Sequence, residues 1–332
     1  MELCDRHVIS ISNQKRLGMM NRFVLSILTT ATSVFLFSCG GTDSPQSLET
    51  TTRGNIRIGV DDSYRLLLDT EIATFQSLYA DAKVNPTYGS EGDLMQLFMK
   101  DSLRAIVTSR ELNDEEKEYF KSNKLFPKVT KICVDGLAFI VNRNNPDSTF
   151  SFNQLKKLFT ANQSNWSDIK PGASATSVNV VFDDPASGNA RYLRELFKLK
   201  QLPSICSAVK SNEEVVKYVE EHPGSMGVIS SNWISDTEDS VSGDFLKRIR
   251  VVGVSSENDP DAVLGYTQPY QGYLADKSYP FRRDVYYINR EVGTRLGTGF
   301  ASFVAGDKGQ RIVLKSGLVP AYGVIRLVDT GN

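Results

Sequence analysis

The stretch that decides the fold is Val178–Phe197, Val-Asn-Val-Val-Phe-Asp-Asp-Pro-Ala-Ser-Gly-Asn-Ala-Arg-Tyr-Leu-Arg-Glu-Leu-Phe. Its first five residues have the composition of a strand, and its last part carries apolar residues at helical spacing. An acidic turn joins them, and the helix begins through Ser187-Gly188-Asn189. A helix start has unpaired N–H groups and a partial positive charge, so it can hold an oxyanion. A plain Ser N-cap also fits these residues, and the segment alone leaves both interpretations open.

Strand and helix patterns alternate along most of the chain around this unit. Ile56–Val60 and Arg104–Thr108 have strand patterns, and capping signals predict helices that begin after Asn113, Ser151 and Ser211. Repeated alternation of this kind predicts an α/β protein with mainly parallel sheets flanked by helices.

Two extended segments, Leu137–Asn142 and Phe281–Asn289, are predicted to cross between two lobes. The first lobe would then be built from residues 55–139 plus 282–330, and the second from residues 140–281. Ligands of open α/β sheets bind beyond the carboxyl ends of the strands. If two such lobes face each other, the binding site falls in the cleft between them.

Residues 1–39 have the pattern of a leader with an export signal. The apolar run Phe23–Phe37 follows Arg22. It is shorter than the ~20 residues of a membrane span, and it has the length of a secretory h-region. Residues upstream of Met19 fit neither part, so we expect Met19 or Met20 to be the true start.

The leader ends in Leu36-Phe37-Ser38-Cys39-Gly40, which resembles a bacterial lipobox. The resemblance implies that Cys39 is acylated and holds the protein on a lipid bilayer. Residues 40–54 are rich in Gly, Ser and Thr, so a flexible tether is predicted there. Together these features predict an exported protein of the cell envelope, facing the periplasm or the cell surface.

Composition argues against several functions. The formal net charge of −1 gives no polycationic surface for nucleic acid. The histidines are His7 and His222, from which no metal cluster or Ser-His-Asp set can be built. We therefore expect no catalytic residues, no metal and no cofactor. Cys133 and Cys206 are expected to be two separate thiols, and the protein is expected to be a monomer.

Four loops at strand or helix ends carry small polar residues, and each supplies one serine hydroxyl as a hydrogen-bond donor. Ser109-Arg110 also supplies a guanidinium, which can offer a planar fork to two oxygens of an anion. Four such loops in equivalent places are a stronger indication of a site than one capped helix. The loops are Asp61–Tyr64 with Ser63, Gly89–Asp93 with Ser90, Ser109-Arg110 with Ser109, and Asp183–Asn189 with Ser187.

The chain resembles the phosphate-binding proteins of bacterial ABC importers over most of residues 55–325, and most of all the lipoprotein members from the Bacteroidota. Order and spacing of the motifs agree with that family. The motifs are Tyr88-Gly89-Ser90-Glu91-Gly92, Ser109-Arg110-Glu111-Leu112, Asp135–Asn142, Asn165-Trp166-Ser167-Asp168, Asp184-Pro185-Ala186-Ser187-Gly188-Asn189, Pro223–Gly227, Tyr279-Pro280-Phe281, Gly309-Gln310 and Gly317–Pro320.

This resemblance implies a two-lobed type II periplasmic binding-protein fold with two hinge strands. It implies a receptor that captures inorganic phosphate in the cleft and delivers it to an ABC permease in the membrane. The predicted ligand-binding residues are Asp62, Ser63, Tyr64, Ser90, Glu91, Ser109, Arg110, Asp183, Ser187, Gly188, Asn189 and Arg191.

The chain departs from the family pattern at charged positions. Better-known members carry Asp where this chain has Arg110, and Arg where it has Asp183, so relative to that family the pair is exchanged between the lobes. An Asp183 carboxylate facing the ligand would accept a proton from hydrogen phosphate and repel sulfate. Asp183 as a turn residue and Arg110 as a surface charge would fit the same sequence. Asn189 replaces the usual Thr and still donates through its amide.

Two other functions stay open at this point. The cleft could bind another oxyanion or a small anionic metabolite. Alternatively, the protein could be a surface lipoprotein with an empty cleft that acts as a sensor or interaction module. A ligand that binds the folded state raises its stability, so ligand-dependent stabilisation separates these possibilities.

Overall fold

The computed structural model describes residues 49–160, 165–173, 175–236, 238–259, 262–263 and 265–323. These residues belong to one compact unit that begins at Glu49. The predictions about the leader, the start at Met19 or Met20, acylation of Cys39 and most of the tether lie outside the described residues. Among the helices of the described ranges, none combines the length and apolar character that a membrane crossing needs.

The strands and helices alternate as predicted. The strands are β1 Gly54–Asp61, β2 Ala82–Gly89, β3 Ala105–Thr108, β4 Lys128–Asn142, β5 Thr149–Phe150, β6 Asn179–Phe182, β7 Cys206–Ala208, β8 Ser225–Ser230, β9 Ile249–Val251, β10 Gly253–Val254, β11 Arg282–Asn289 and β12 Val319–Pro320. The helices are α1 Arg65–Leu78, α2 Glu91–Met99, α3 Asp114–Ser122, α4 Phe152–Thr160, α5 Trp166–Ile169, α6 Gly188–Leu196, α7 Asn212–Glu221, α8 Ser240–Arg248, α9 Gln271–Ala275, α10 Leu296–Ala305 and α11 Asp307–Lys315.

The main sheet has ten strands. Eight follow the path β2-β1-β3-β11-β4-β8-β6-β7, and β9 and β12 pair with β4 off this path. The outer strands are parallel: β1 pairs in parallel with β2 and β3, and β6 with β7 and β8. The central strands β4 and β11 pair antiparallel with their neighbours. The sheet therefore has two parallel βα parts, each with its own strand ends and loops, joined by an antiparallel centre.

Strand β4 belongs to both parts of the sheet. Its residues up to Gly136 pair with β11, and its residues from Leu137 pair with β8. We call the strands on the β11 side of this change the first half and those on the β8 side the second half. The predicted crossing at Leu137–Asn142 thus begins where β4 changes neighbours. The proposed lobe boundaries at residues 139/140 and 281/282 stay a prediction.

Each half has its own apolar core, which holds its loops in place. In the first half, Phe75 and Phe300 pack edge to face beneath β1 and β11. In the second half, Phe139, Phe281 and Trp166 belong to one buried cluster. Trp233 is also buried, so neither tryptophan is available as an exposed stacking platform.

The predicted helix starts are confirmed. The side chains of Asn113, Ser151, Ser187 and Ser211 each accept a hydrogen bond from the backbone of their own helix. The last helix has Gly306 at its N-cap, and Asp307 lies in its first turn, where its charge is favourable to the helix dipole. The residues after β1 form a short 3₁₀ turn, and the α-helix starts at Arg65.

The end of the predicted tether packs against the first half. The Glu49 carboxylate pairs with Arg104 at 2.8 Å, and the carbonyl of Thr51 lies so close to Gly299 that a Cβ there would be 1.8 Å away. Residues 49–53 therefore do not extend freely from the body. This differs from the expectation of a tether up to residue 54.

Candidate functional site

The helix start at Ser187 lies fully buried between loops from both halves. Ser187 is the N-cap of α6, and its hydroxyl accepts a hydrogen bond from the Ala190 amide at 3.2 Å. A Cβ added at Gly188 would lie 2.7 Å from Asp61 Oδ2, 2.7 Å from Ser109 Oγ and 3.1 Å from Glu91 Oε2. Three loops of the first half therefore converge on this glycine. Only a residue without a side chain lets them approach so closely.

The carboxylate of Glu91 lies at the centre of this convergence and is 2% exposed. Its Oε2 accepts hydrogen bonds from the Ser109 amide at 3.1 Å and the Ser109 hydroxyl at 3.0 Å. Its Oε1 accepts from Arg110 Nε at 3.2 Å and from Arg191 Nε. Burial opposes ionisation of Glu91, but Arg191 and Arg110 outweigh it and hold the pKa of this carboxyl below its ordinary value.

Arg191 connects the two halves through this carboxylate. Besides Glu91, its Nη2 donates to Ser109 Oγ at 2.8 Å, although Arg191 belongs to α6 of the second half. Its Nη1 pairs with Glu195 one turn along the same helix. The contacts with Glu91 and Ser109 direct the guanidinium toward the Ser109 loop.

The planar fork of Arg110 is directed to a neighbour of its own half. Nη1 and Nη2 donate to the two carboxylate oxygens of Glu116 at 2.7 Å each. Only the Nε edge faces Glu91. Arg110 thus lies beside the predicted site and is not a free surface charge, but the two-pronged contact predicted for a ligand is made with Glu116.

Asp183 and Asp61 form an acidic pair beneath the helix start. Asp183 is 3% exposed and accepts hydrogen bonds from Asn189 Nδ2 at 3.0 Å and Asn212 Nδ2 at 3.4 Å. Burial raises the pKa of Asp183 to about 6. Burial, with the charges of Glu91 and Asp183, raises the pKa of Asp61 to about 7. Asp61 Oδ2 has no hydrogen-bond partner among the described residues.

The loop that follows β1 links the halves through three predicted residues. The Ser63 hydroxyl lies 3.4 Å from Asn189 Oδ1, and Asp62 Oδ2 accepts from Asn212 Nδ2 at 3.1 Å. The Tyr64 hydroxyl donates to Asp135 at 3.4 Å, on the floor below. These contacts place Asp62, Ser63 and Tyr64 around the site, with Ser63 nearest the helix start.

Ser90, like Arg110, makes contacts that differ from the prediction. Its hydroxyl donates to Asp93 Oδ2 at 2.9 Å and accepts from the Asp93 amide at 3.3 Å, so it caps α2. The loop itself does reach the second half, since the Gly92 amide donates to the Ala186 carbonyl at 3.0 Å. It is the neighbouring Glu91 that enters the site.

Sequence reasoning missed a buried ion pair below the site. Arg283 is 4% exposed and Asp135 is 0% exposed. Arg283 Nη2 lies 2.9 Å from Asp135 Oδ2, and the hydroxyls of Ser230 and Ser231 donate to the same carboxylate. Arg283 Nη1 has no hydrogen-bond partner within the described part of the chain. Asp135 lies in one of the family motifs and Arg283 in the second predicted crossing. Their sequence positions gave no reason to pair them, because the β4–β11 register decides it.

Donors from both halves converge on one position. A backbone amide, a hydroxyl and two guanidinium groups donate to the Glu91 carboxylate there, and the buried carboxyls of Asp61 and Asp183 lie nearby. Over the described ranges, no group of three or more His, Cys, Asp or Glu side chains is arranged to hold a metal ion.

Comparison with known proteins assigns the chain to a superfamily. A sequence model of a PBP superfamily domain matches residues 45–308, which is most of the chain. The chain therefore belongs to this superfamily of periplasmic binding proteins, as its motifs suggested.

Particular relatives are distant but span nearly the whole length. The phosphate-binding protein PstS of Pseudomonas aeruginosa is 21% identical over 282 residues, covering 80% of this chain and 83% of that protein. The phosphate-binding protein PstS of Bacillus subtilis is 20% identical over 309 residues, covering 90% and 94%.

Solved structures confirm the predicted fold. A putative phosphate ABC transporter substrate-binding protein from Clostridium perfringens, with bound phosphate, superposes with a TM-score of 0.67 at 20% identity, covering 81% of this chain and all (100%) of that one. An ABC-type phosphate transport receptor from Vibrio cholerae gives 0.61 at 17% identity, with 80% and 100% covered. The fold is that of the type II periplasmic binding proteins.

Proposed function

We propose that this chain is an exported solute-binding protein that captures inorganic phosphate between its two halves and delivers it to an ABC permease. The observation that carries the proposal is the convergence on Gly188, where Ser109, Arg191 and the start of α6 meet. The relatives named above are phosphate-binding proteins of transport systems, which supports a binding function and not catalysis. Acylation of Cys39 would keep the receptor at the membrane.

The donors fit a tetrahedral oxyanion. When an anion leaves water, each of its oxygens needs replacement hydrogen bonds, and charged or backbone donors supply the strongest ones. Ser109 offers an amide and a hydroxyl, Arg191 offers a guanidinium from the opposite half, and the first turn of α6 offers further amides. Closure of the two halves on the ligand is the usual motion of this class.

The neighbouring acids favour phosphate over sulfate. Asp61 and Asp183 are buried beside the donors, and the pKa values of about 7 and about 6 are set mainly by that burial. At a pH above these pKa values the acids are ionised, and each can accept a hydrogen bond from the hydroxyl of hydrogen phosphate. Sulfate has no proton to donate, so its charge would face an unpaired carboxylate.

Calorimetry with the chain from residue 40 onward tests the proposal. We expect phosphate to bind at least about tenfold more tightly than sulfate, the difference that one unpaired buried group produces. Arg191→Ala should weaken phosphate binding by about tenfold or more. Arg194→Ala, on the same helix, is the matched control and should change it by less than about threefold. Equal binding of the two anions, or an unaffected Arg191→Ala variant, would contradict the proposal.

One observation favours a second function. The position that an anion would take already holds the Glu91 carboxylate, so the cleft is satisfied without a ligand. This arrangement also fits a sensor or interaction lipoprotein whose cleft no longer transports a solute. In that case phosphate, sulfate and arsenate would all leave the melting temperature unchanged.

A further inference from the structure

Glu91 satisfies the donors of the site in the way that a bound anion would. Its two oxygens accept five hydrogen bonds, from the amide and hydroxyl of Ser109, from Arg110 Nε, and from Nε and Nη2 of Arg191. These are the donors that the proposed function assigns to phosphate. A hydrogen-bond donor that already has a short, charged partner cannot serve a second anion at the same point.

The Glu91 carboxylate and a phosphate ion cannot occupy this position together, for reasons of both space and charge. Glu91 Oε2 would lie 3.1 Å from a Cβ at Gly188, so the carboxylate fills the gap beside the helix start. Asp61 is buried in the same gap, and the charge of Glu91 contributes to its raised pKa. A phosphate brought next to an ionised Glu91 would add a further negative charge to this cluster, where little water screens it.

We propose that Glu91 is a built-in competitor: its carboxylate occupies the anion position in the empty protein, and the ligand must displace it. This inference rests on the proposed function and deepens it. Glu91 lies at the first position of α2, tethered to the first half, and it reaches Arg191 on α6 of the second half. The tethered carboxylate therefore also holds the two halves together when no ligand is bound.

Two consequences follow for binding. The apparent affinity for phosphate is lowered by the fraction of time during which the carboxylate leaves the position free. The ligand-free protein also stays closed, because the Glu91–Arg191 contact supplies the bond between halves that a ligand otherwise supplies. Phosphate then exchanges one anion for another, and stabilises the protein less than it would stabilise an empty cleft.

Phosphate titrations of the wild type, Glu91→Ala and Glu91→Gln test this. If the carboxylate leaves the position free for a tenth of the time or less, Glu91→Ala should bind phosphate about tenfold more tightly or better. Glu91→Gln keeps the shape but removes the charge, and it should also bind more tightly than the wild type. Without phosphate, both variants should melt at lower temperature, since Arg110 and Arg191 lose a buried partner.

Glu195→Ala is the matched control. Glu195 also pairs with Arg191, but its carboxylate is exposed and lies outside the anion position. Its removal should change phosphate affinity by less than about threefold, because it frees no binding position. A gain in affinity as large as that of Glu91→Ala would show that loss of any Arg191 partner suffices, and would overturn the proposal.

Formate provides a direct check of position. A small carboxylate should raise the melting temperature of Glu91→Ala and compete there with phosphate, while it leaves the wild type unaffected. Competition with phosphate is the decisive result, because formate that merely replaced a structural carboxylate would stabilise the variant without displacing phosphate. Equal responses of the wild type and the variant to formate would contradict occupancy of the anion position by Glu91.

The outcomes separate this inference from the proposed function. Phosphate binding by the wild type with unchanged or weaker binding by Glu91→Ala would overturn the inference and leave the proposed function standing. Binding by Glu91→Ala alone would support the inference and contradict phosphate capture by the natural chain. Absence of binding in both proteins would contradict both.

Discussion

Two helix starts in this protein have nearly the same local structure and opposite effects on the site. Ser90 and Ser187 are N-caps with φ/ψ of −71°/147° and −69°/157°, and the hydroxyl of each accepts from the third residue of its helix. The next residue is Glu91 in one case and Gly188 in the other. Gly188 leaves a gap beside the helix start, and Glu91 from the opposite loop fills it. The two caps therefore match in local structure, but the helix start at Ser187 offers a position for an anion, and the carboxylate of Glu91 beside Ser90 occupies that position.

The comparison shows that a cap motif alone does not define a binding site. Both serines use their hydroxyls inside their own helices, so the cap hydrogen bond accounts for each of them. What differs is the first helical residue and the charge that it brings. Substitutions at Gly188 and Glu91 are therefore expected to change phosphate binding more than substitutions at Ser187 and Ser90.

The largest effect on stability and binding is expected when a side chain is added at Gly188, because this removes the main difference between the two helix starts. Gly188→Ala places a methyl group 2.7 Å from Asp61 Oδ2 and Ser109 Oγ, which are both held by buried loops. Overpacking of this kind should lower the free energy of unfolding by about 2 kcal/mol and disrupt phosphate binding. Denaturant unfolding and calorimetry measure the two effects.

Gly272→Ala is the control for that substitution, because no atom lies within 4 Å of the Cβ position there. It should leave phosphate binding nearly unchanged and should not lower stability, since Ala replaces Gly in a helix at a stabilisation of up to about 1 kcal/mol. A Gly188→Ala protein as stable as the control would show that the three loops do not depend on close approach at this helix.

A smaller effect concerns the pH dependence of stability. The pKa of Asp61 rises from 3.8 to about 7 on folding, mainly through burial, so between these pH values the folded state holds more protons than the unfolded one. The contribution of Asp61 to the free energy of unfolding therefore decreases as pH rises from about 4 to about 7. Asp61→Asn should remove roughly 1–3 kcal/mol of that decline, measured by denaturant unfolding across this pH range.

Glu91 should act in the opposite direction, which sharpens the contrast between the two acids. The pKa of Glu91 is lowered on folding, because Arg191 and Arg110 outweigh its burial. Its stabilising contribution is present above the ordinary pKa and is lost as pH falls through the lowered value. If Asp61→Asn left the pH profile unchanged, the raised pKa of Asp61 would not contribute to stability.

The smallest effects are expected at the two caps. Ser90→Ala and Ser187→Ala should each lower the free energy of unfolding by about 1 kcal/mol, the usual contribution of an N-cap hydroxyl. Because Ser187 is fully buried at the convergence and Ser90 lies at the rim with 8% exposure, only Ser187→Ala should also weaken phosphate binding. Equal losses of affinity in the two variants would mean that the helix starts contribute alike to the ligand site.

Much of the architecture could be predicted from local patterns. The strand-to-helix unit at Val178–Phe197, the capping box at Asn113 and the α/β alternation follow from spacing and capping chemistry, which act over a few residues. The pairing of Arg283 with Asp135 could not be predicted, because the two are brought together only by the register of β4 against β11. The same holds for the pairing of Arg110 with Glu116, where the helix after Asn113 brings the carboxylate back to the Ser109 loop.

The sequence by itself determined the class of fold, the order of the loops and the kinds of groups that they carry. Hydroxyls, guanidinium groups and carboxyls were all present in the predicted set. Only the tertiary structure decided which of them face one another: it directed Arg110 to Glu116, Ser90 to its own helix and Glu91 to the gap beside Gly188. Electrostatic and hydrogen-bond energies depend on distances of a few ångströms between residues about a hundred positions apart, and those distances are set by packing of the whole sheet.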